Sequence, residues 1–192
     1  GDHRDLPSFP TRRSSDLGNT TIVTNADGMQ VLRTSGDCVD ISDRDYFKNA
    51  MEGKDYVSDV IVSKSSGTRI ITLSTPVYSE DGAEIIGMVQ RNYDLEDLHD
   101  FLASESDDAF VTDRTGVVAA HSQYSIGVDD EEDRSTSEFM VSGLSEGTYE
   151  NDTGKGYSAM ISYKKEPHTN FTVVAAQNLR EVTSHARSSA IL

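Results

Sequence analysis

Tryptophan is absent from this chain of 192 residues, which contains one cysteine and four prolines. The single cysteine, Cys38, excludes an intrachain disulfide, so packing alone has to hold the fold together. Hydrophobic residues make up 35% of the sequence and aromatic residues 7%, which favours modest cores in small sheet-and-helix domains over one thick core. No run of about 18 apolar residues occurs, so we predict no membrane-spanning segment within this sequence.

Positive charge is also scarce. Lysine and arginine number 17 against 33 aspartates and glutamates, which gives a formal net charge of −16. Such an excess repels phosphate and argues against nucleic acid as a partner. The acidic run Asp129–Asp133 lacks the alternating ligands and central glycine of a calcium-binding loop. We interpret it as a solvated acidic surface.

Motifs that hold a metal or carry out catalysis are hard to find. The five histidines are scattered without H-x-x-x-H spacing, and no C-x-x-C pair is possible. Asp113, His121 and Ser122 are the residue types of a catalytic triad, but we do not expect them to form one. The sequence therefore predicts a protein that is not an enzyme and that uses neither a metal nor a cofactor.

An internal repeat is the most informative pattern. Residues 22–35 read IVTNADGMQVLRTS, and residues 110–122 read FVTDRTGVVAAHS. Both begin with an apolar pair and a threonine and then enter a turn that ends in glycine. Asp27-Gly28 and Thr115-Gly116 supply the positive φ of a tight hairpin. We interpret the two hairpins as two copies of one small fold.

The first copy continues with a helix and three strands. Ser42 is predicted as the helix N-cap, with Asp45 three residues later and Gly53 at the end. The apolar face of this helix comprises Tyr46, Phe47, Ala50 and Met51. Strands are predicted at 56–63, 69–78 and 84–93. A second helix at 94–102 carries a buried stripe of Leu95, Leu98, Phe101 and Leu102.

The second copy is predicted to have less helix. One short helix is expected at 137–142, and strands are expected near 147–151, 157–163 and 172–177. Asn178 is placed to cap a final helix with Leu179, Val182 and Ala186 on its apolar side. Both copies therefore combine an antiparallel sheet with helical cover, which is an α+β fold.

Five segments have a specific order and spacing, namely Ser42–Ala50, Tyr56–Val60, Ile71–Val77, Asp81–Val89 and Asp94–Leu98. Together they resemble the double Cache (dCache) sensor domains. The resemblance implies an α+β fold of two tandem PAS-like domains, each an antiparallel sheet with flanking helices. It places a membrane-distal ligand-binding domain at 18–103 and a membrane-proximal domain at 104–178.

The two ends are expected to lie outside these domains. Residues 1–17 resemble the in-frame translation of a sequencing-adapter oligonucleotide, so we expect them to be a disordered artefact. Residues 179–192 are predicted as a C-terminal helix leading toward a missing transmembrane segment. The resemblance further implies flanking membrane helices and a homodimer in the full-length receptor.

The function that the resemblance implies is extracytoplasmic, either periplasmic or extracellular, ligand sensing. The chain would be the sensor of a transmembrane chemoreceptor, a methyl-accepting chemotaxis protein in signal transduction. Alternatives are the sensor of a histidine kinase or of a cyclic-dinucleotide enzyme, or an adhesive or scaffold module on the cell surface. A surface module would bind no small molecule and would carry an apolar patch in place of a pocket.

The resemblance also implies a ligand site in the distal domain. Arg44 is expected in the first helical turn, where it could hold a carboxylate. The alternative for Arg44 is an ion pair with Asp40 or Asp59. The predicted ligand-binding residues are Arg44, Tyr46, Phe47, Asp59, Ile61, Ser63 and Asn92.

The identity of three of these residues argues against an amino-acid ligand. In amino-acid-binding relatives, a tyrosine and two aspartates hold the ammonium group. Here Ile61, Ser63 and Asn92 occupy those positions, so an ammonium group would lack its anionic partners. We therefore expect a small anionic metabolite, and we expect the helix and sheet to enclose a cavity that is open to it.

Overall fold

The computed structural model of the protein describes residues 19–153, 156–180 and 183. These residues form two antiparallel sheets with few helices, which confirms the predicted α+β class. No helix in this part of the chain has both the length and the apolar content needed to cross a bilayer. The predicted artefact at 1–17 and most of the predicted C-terminal helix fall outside the described residues.

The first sheet is built from residues 20–94. Its strands are β1 (Thr20–Asn25), β2 (Gln30–Arg33), β3 (Tyr56–Val57), β4 (Ile61–Val62), β5 (Arg69–Tyr78) and β6 (Ile85–Asp94). The strand order is β2-β1-β6-β5-β3, with β4 also paired to β5. Helix α1 (Asp45–Met51) covers one face, which we call the inner face. Tyr46, Phe47 and Ala50 are buried against it, as the apolar spacing predicts.

The second sheet follows helix α2 (Leu95–Glu105). It contains β7 (Ala109–Thr112), β8 (Val118–His121), β9 (Glu146–Asp152), β10 (Ser158–Lys165) and β11 (Thr172–Asn178), with helix α3 (Glu138–Val141) before β9. The order is β8-β7-β11-β10-β9. If β7, β8, β9, β10 and β11 are matched with β1, β2, β3, β5 and β6, the two sheets have the same strand order. The repeated hairpins are thus embedded in two sheets of the same topology.

Both hairpins are fixed by a close backbone contact at their turn glycine. Gly28 has φ +90°, and a Cβ there would lie 2.6 Å from the Cα of Ser42. Gly116 has φ +100°, and a Cβ there would lie 2.6 Å from the Cα of Ser135. Only glycine tolerates such an approach at positive φ. In each copy, the segment that leads to the helix therefore packs directly on the hairpin turn.

This contact explains why the predicted helix start is wrong. Ser42 does not cap α1, because it packs on Gly28 and its N–H donates to the Asp40 carboxylate at 2.8 Å. The N-cap is Arg44, in an extended conformation and without a side-chain cap. Arg44 therefore precedes the first turn of the helix instead of lying in it.

The predicted strand 56–63 is also wrong as a single element. It is broken into β3 and β4 by Ser58–Val60. The buried Ser58 hydroxyl accepts from the Thr72 N–H at 2.9 Å and donates to the Asp59 carbonyl at 2.8 Å. A side chain thus takes over part of the backbone pairing, which frees Asp59 and Val60 to turn away from the sheet.

Three apolar clusters form the core. One lies under α1, and one lies on the face of the second sheet that packs against Phe139 of α3. The third joins the two halves, because Leu95 and Leu102 of α2 pack with Val111, Phe171 and residues of the first sheet. Leu98 is half-buried there, but Phe101 is 60% exposed, so its predicted place in the buried stripe is wrong. The helix contacts its neighbours over a narrower stripe than the sequence predicts.

Candidate functional site

A small cavity lies between the segment entering α1 and the inner face of the first sheet, and we call it the first cavity. Five of the seven predicted ligand-binding residues line it, namely Arg44, Tyr46, Ile61, Ser63 and Asn92. The remaining lining comes mainly from β2 and from the loop after β4, including Gln30, Arg33, Lys64 and Ser65. The structure therefore brings together residues that are far apart in the sequence.

The first cavity is closed in this conformation, which corrects the expectation of an open one. Its volume is about 10 Å³, room for roughly one water molecule. Arginine side chains occupy the space. Arg44 Nη2 donates to the Val62 carbonyl at 3.0 Å. Arg33 donates to Gln30 Oε1 at 2.6 Å and to Ser65 Oγ at 2.8 Å.

The lining of the first cavity is cationic. Arg33, Arg44 and Lys64 contribute positive charge, and no carboxylate is among the lining residues. Lys64 pairs with Asp43 at 2.5 Å, and the hydrogen bond from Lys64 lowers the pKa of the Asp43 carboxyl. Within the described residues, neither arginine has a carboxylate partner. The Nε of Arg44 is buried without a hydrogen-bond partner, which costs free energy.

A row of polar side chains on the inner face of the first sheet leads up to the first cavity, which it reaches at Asn92. Thr72, Ser74, Gln90 and Asn92 are all buried, at 0–8% exposure, on alternate positions of β5 and β6. Asn92 Oδ1 accepts from Thr72 Oγ1 at 2.9 Å and from Gln90 Nε2 at 3.1 Å. A covered sheet face is normally apolar. Such a row of polar residues at alternate positions is therefore a signal of the site that sequence reasoning missed.

The two aromatic residues of α1 have different surroundings. Tyr46 lines the first cavity and is 5% exposed, and burial raises the pKa of its hydroxyl although the Gln90 side chain opposes the shift. Phe47 does not line the cavity. It packs in the core under α1 with Ile41, Ala50 and Met88. Tyr46 belongs to the same core cluster, so both rings pack in the core and only Tyr46 also borders the cavity.

Asp59 lies away from the first cavity and contacts the second half of the chain. Its carboxylate pairs with Arg114 Nε at 2.7 Å, and Arg114 also donates to the Val57 carbonyl. Burial and the nearby Asp113 carboxylate raise the pKa of the Asp59 carboxyl, although Arg114 opposes the shift. The neighbouring Val60 N–H donates to Asp113 at 3.0 Å. The break between β3 and β4 is therefore bonded to the β7–β8 turn, and we call these contacts the loop link.

A second polar contact between the halves comes from Arg69 at the start of β5. This guanidinium is 7% exposed and donates to the carbonyls of Val118 and Ala119, at 2.5 and 3.1 Å. Burial lowers its pKa. Because β4 pairs with β5 at Ile61–Ile70, both contacts adjoin the strands that line the first cavity. These contacts therefore connect the strands beside the first cavity to the second sheet.

The described residues offer little for catalysis. The carboxylate of Asp113 accepts backbone hydrogen bonds from Thr115, Gly116, Val117 and Val60, so it holds the hairpin turn instead of orienting His121. Residues 143–147 read G-x-S-x-G, but they join α3 to β9. A nucleophile elbow instead requires the serine between a strand and a helix.

One group on α2 has ligand atoms close enough for a metal. Glu96, His99 and Asp100 place these atoms within 4.8 Å of one another. The two carboxylates are exposed, and His99 Nδ1 already bonds the His121 carbonyl at 2.6 Å. Exposed acidic groups of this kind are common on solvated surfaces.

Comparison with known proteins gives a family match along most of the chain. A family model described as Cache domain, of the dCache_1 type, matches residues 6–186. No protein of curated function matches the sequence at a significant level.

Solved structures with a similar fold come from bacterial sensors. The extracellular domain of the histidine kinase candidate rpHK1S-Z16 has a TM-score of 0.67 and 18% identity, over 85% of this chain and 72% of that one. The sensory domain of the Campylobacter jejuni chemoreceptor Tlp3 with isoleucine bound has a TM-score of 0.62 and 15% identity, over 84% and 66%.

The ligand-binding domain of the Pseudomonas aeruginosa amino-acid chemoreceptor PctC in complex with GABA has a TM-score of 0.62. It is 20% identical, over 84% of this chain and 73% of that one. The chain thus spans about two thirds to three quarters of the length of these structures. At such low identity the likeness is one of fold.

Proposed function

Since the chain belongs to the Cache domain family, we propose that it senses a small anionic metabolite, which binds in the first cavity. Cache domains are non-catalytic, extracytoplasmic ligand-binding modules of membrane receptors. The observation that carries the proposal is a pair of half-buried arginines, Arg33 and Arg44, at one site: within the described residues neither is hydrogen-bonded to a carboxylate, and the Arg44 Nε is buried without a partner. A cluster of positive side chains that includes a buried, unpaired N–H favours a bound anion, because a carboxylate would pair with both the charge and that donor.

We further propose that the two sheets are two tandem PAS-like domains. Residues 18–103 would form the membrane-distal, ligand-binding domain and residues 104–178 the membrane-proximal domain. Residues 179–192 would lead toward the membrane. The shared strand order and the glycine contacts at Gly28 and Gly116 support this division.

The closed first cavity implies that binding opens it. An incoming carboxylate would replace the Val62 carbonyl as the acceptor for Arg44 and would give Arg44 Nε a partner. Planar guanidinium groups bind carboxylates through two parallel hydrogen bonds. The ligand would therefore stabilise an open arrangement of the α1 entry segment and β4, and its effect would depend on its preference for that state.

Opening would be transmitted through the loop link. Ile61 and Ser63 line the first cavity, and Val60 and Asp59 beside them bond to Asp113 and Arg114 of the second half. A shift of β4 would thus pull on the β7–β8 turn. In the full-length protein we propose flanking membrane helices, a homodimer and a chemoreceptor output. A histidine kinase output is the second candidate, because one similar structure is the extracellular domain of a histidine kinase candidate.

The test is a thermal-shift screen with small mono-, di- and tricarboxylates, each paired with its neutral amide. We expect at least one carboxylate to raise the melting temperature while its amide does not. Arg44→Ala should weaken binding of that carboxylate by about 2 kcal/mol, or roughly thirtyfold, because a charge-assisted hydrogen-bonding group is lost.

Lys54→Ala is the matched control. Lys54 lies just after α1, pairs with Glu52 on the surface and does not line the first cavity. Its removal should leave the thermal shift unchanged. Equal shifts with the amides, or an unchanged shift in Arg44→Ala, would contradict an anion site at Arg44.

A further inference from the structure

A second, much larger cavity lies on the inner face of the second sheet, on the side that carries α3. Its volume is about 910 Å³, within the range of small-molecule sites. Most of its exposed lining is polar, above an apolar floor of Phe110, Ala159, Ile161 and Ala176. We call it the second cavity.

The second cavity occupies the position that corresponds to the first one in the repeat. The repeated hairpins align Ile22 with Phe110. Ile22 lies opposite Gln90 on β6, and Phe110 lies opposite Val174 on β11. The cross-strand pairs that follow are Gln90–Ser74 and Asn92–Thr72 in the first sheet, and Val174–Tyr163 and Ala176–Ile161 in the second. Polar pairs are thus replaced by apolar ones, and the four-residue α3 covers less of the sheet than the seven-residue α1.

Aromatic rings form one wall. Tyr124 stacks on His121 with ring centroids 4.2 Å apart, and His121 stacks on Phe110 at 5.5 Å. Tyr149 and Tyr157 also line the cavity. Burial lowers the pKa of the His121 ring, although the nearby carboxylates of Asp108 and Glu132 oppose the shift. Tyr124 is 42% exposed, so a ring face remains accessible to a ligand.

The charged groups around the second cavity favour a cation. Its lining includes the acidic residues Glu105, Asp107 and Asp108, of which Asp108 already lies 3.8 Å from His121 Nε2. The one arginine among the described lining residues, Arg134, pairs with Glu132, with Nε 2.7 Å from Oε1, and its guanidinium carbon lies 5.7 Å from the centroid of the Phe110 ring. Aromatic faces attract cations through the ring quadrupole, and nearby carboxylates add to that attraction.

From this combination we infer that the second cavity is a separate ligand site for a small organic cation with an aromatic or apolar body. The apolar floor and the stacked rings hold the body of the ligand, and the exposed carboxylates of Glu105 and Asp107 hold its charge. The site is opposite in charge preference to the first cavity. The two halves would therefore bind ligands of opposite charge, although their sheets have the same topology.

The probes for this inference are 2-phenylethylamine and its neutral analogue 2-phenylethanol, with binding measured by titration calorimetry on the whole chain. We expect the amine to bind about tenfold more tightly than the alcohol. Tyr124→Leu keeps an apolar side chain but removes the ring face, and it should weaken amine binding about fivefold or more.

Two further variants distinguish the contribution of charge from that of packing, and binding in the second cavity from binding in the first. Asp107→Asn should reduce the preference for the amine over the alcohol, and it tests the site even if Tyr124→Leu does not fold. Arg44→Ala should leave amine binding unchanged, because Arg44 lines the other cavity. Absence of amine binding, equal affinity for the alcohol, or unchanged affinity in both Tyr124→Leu and Asp107→Asn would overturn the inference.

Discussion

The ion pair of the loop link can be measured with a double-mutant cycle of Asp59→Ala and Arg114→Ala. Asp59 Oδ1 and Arg114 Nε are 2.7 Å apart, and the two side chains are 28% and 31% exposed. The pair is therefore less screened than a surface pair, which contributes about 0–1 kcal/mol. Desolvation of Asp59 opposes the attraction, as its raised pKa indicates. We expect a coupling free energy of about 1–2 kcal/mol.

The single variants should differ from each other. Arg114 also donates to the Val57 carbonyl and stacks on Tyr56, with its guanidinium carbon 5.1 Å from the ring centroid. Arg114→Ala should therefore cost more than Asp59→Ala, by about 1 kcal/mol. The cycle subtracts these extra contacts, because both the single and the double variant lose them.

The assay is urea unfolding at neutral pH, followed by circular dichroism. The matched control is the exposed pair Lys164–Glu146, whose ions are 3.5 Å apart and whose side chains are 76% and 67% exposed. Its coupling should lie near zero. A coupling for Asp59 and Arg114 no larger than that of the control would refute the reasoning, because the pair would then not tie the halves together.

The remaining predictions concern a turn and a carboxylate. Gly28→Ala should lower the free energy of unfolding by about 2 kcal/mol or more, because it adds strain at positive φ to a clash with Ser42. Gly67→Ala, at φ +71° with no atom within 4 Å of the new Cβ, should cost only about 1 kcal/mol in the same urea assay. Similar losses would show that the contact with Ser42 is unimportant. Glu166 accepts backbone hydrogen bonds from Thr169 and His168, and these lower its pKa. Its contribution to stability is therefore complete above its ordinary pKa and is lost as the pH falls through the lowered value. Glu166→Gln should cost more stability at about pH 7 than at about pH 3, and a pH-independent cost would contradict this account.

Much of the fold can be predicted from local sequence patterns. The strand Arg69–Tyr78 has the predicted bounds, and the next strand differs by one residue at each end, because alternation and turn chemistry lie within neighbouring residues. Gly28 and Gly116 likewise predict their turns, because both turns need a residue with positive φ. The α+β class follows from these patterns, whereas the family was identified from the resemblance of five ordered segments to double Cache domains. Five of the seven proposed site residues do lie around one cavity.

Tertiary contacts decided what local patterns could not. Asp59 has its partner 55 residues away, and the partner is selected by how the two halves pack. Arg44 is displaced from the helix because Ser42 packs on Gly28. The closure of the first cavity depends on Arg33, Gln30 and Ser65, which meet only when β2 and the loop after β4 come together. Sequence neighbours thus determined the strands and turns, whereas charge pairing and cavity volume depended on distant segments brought together in the fold.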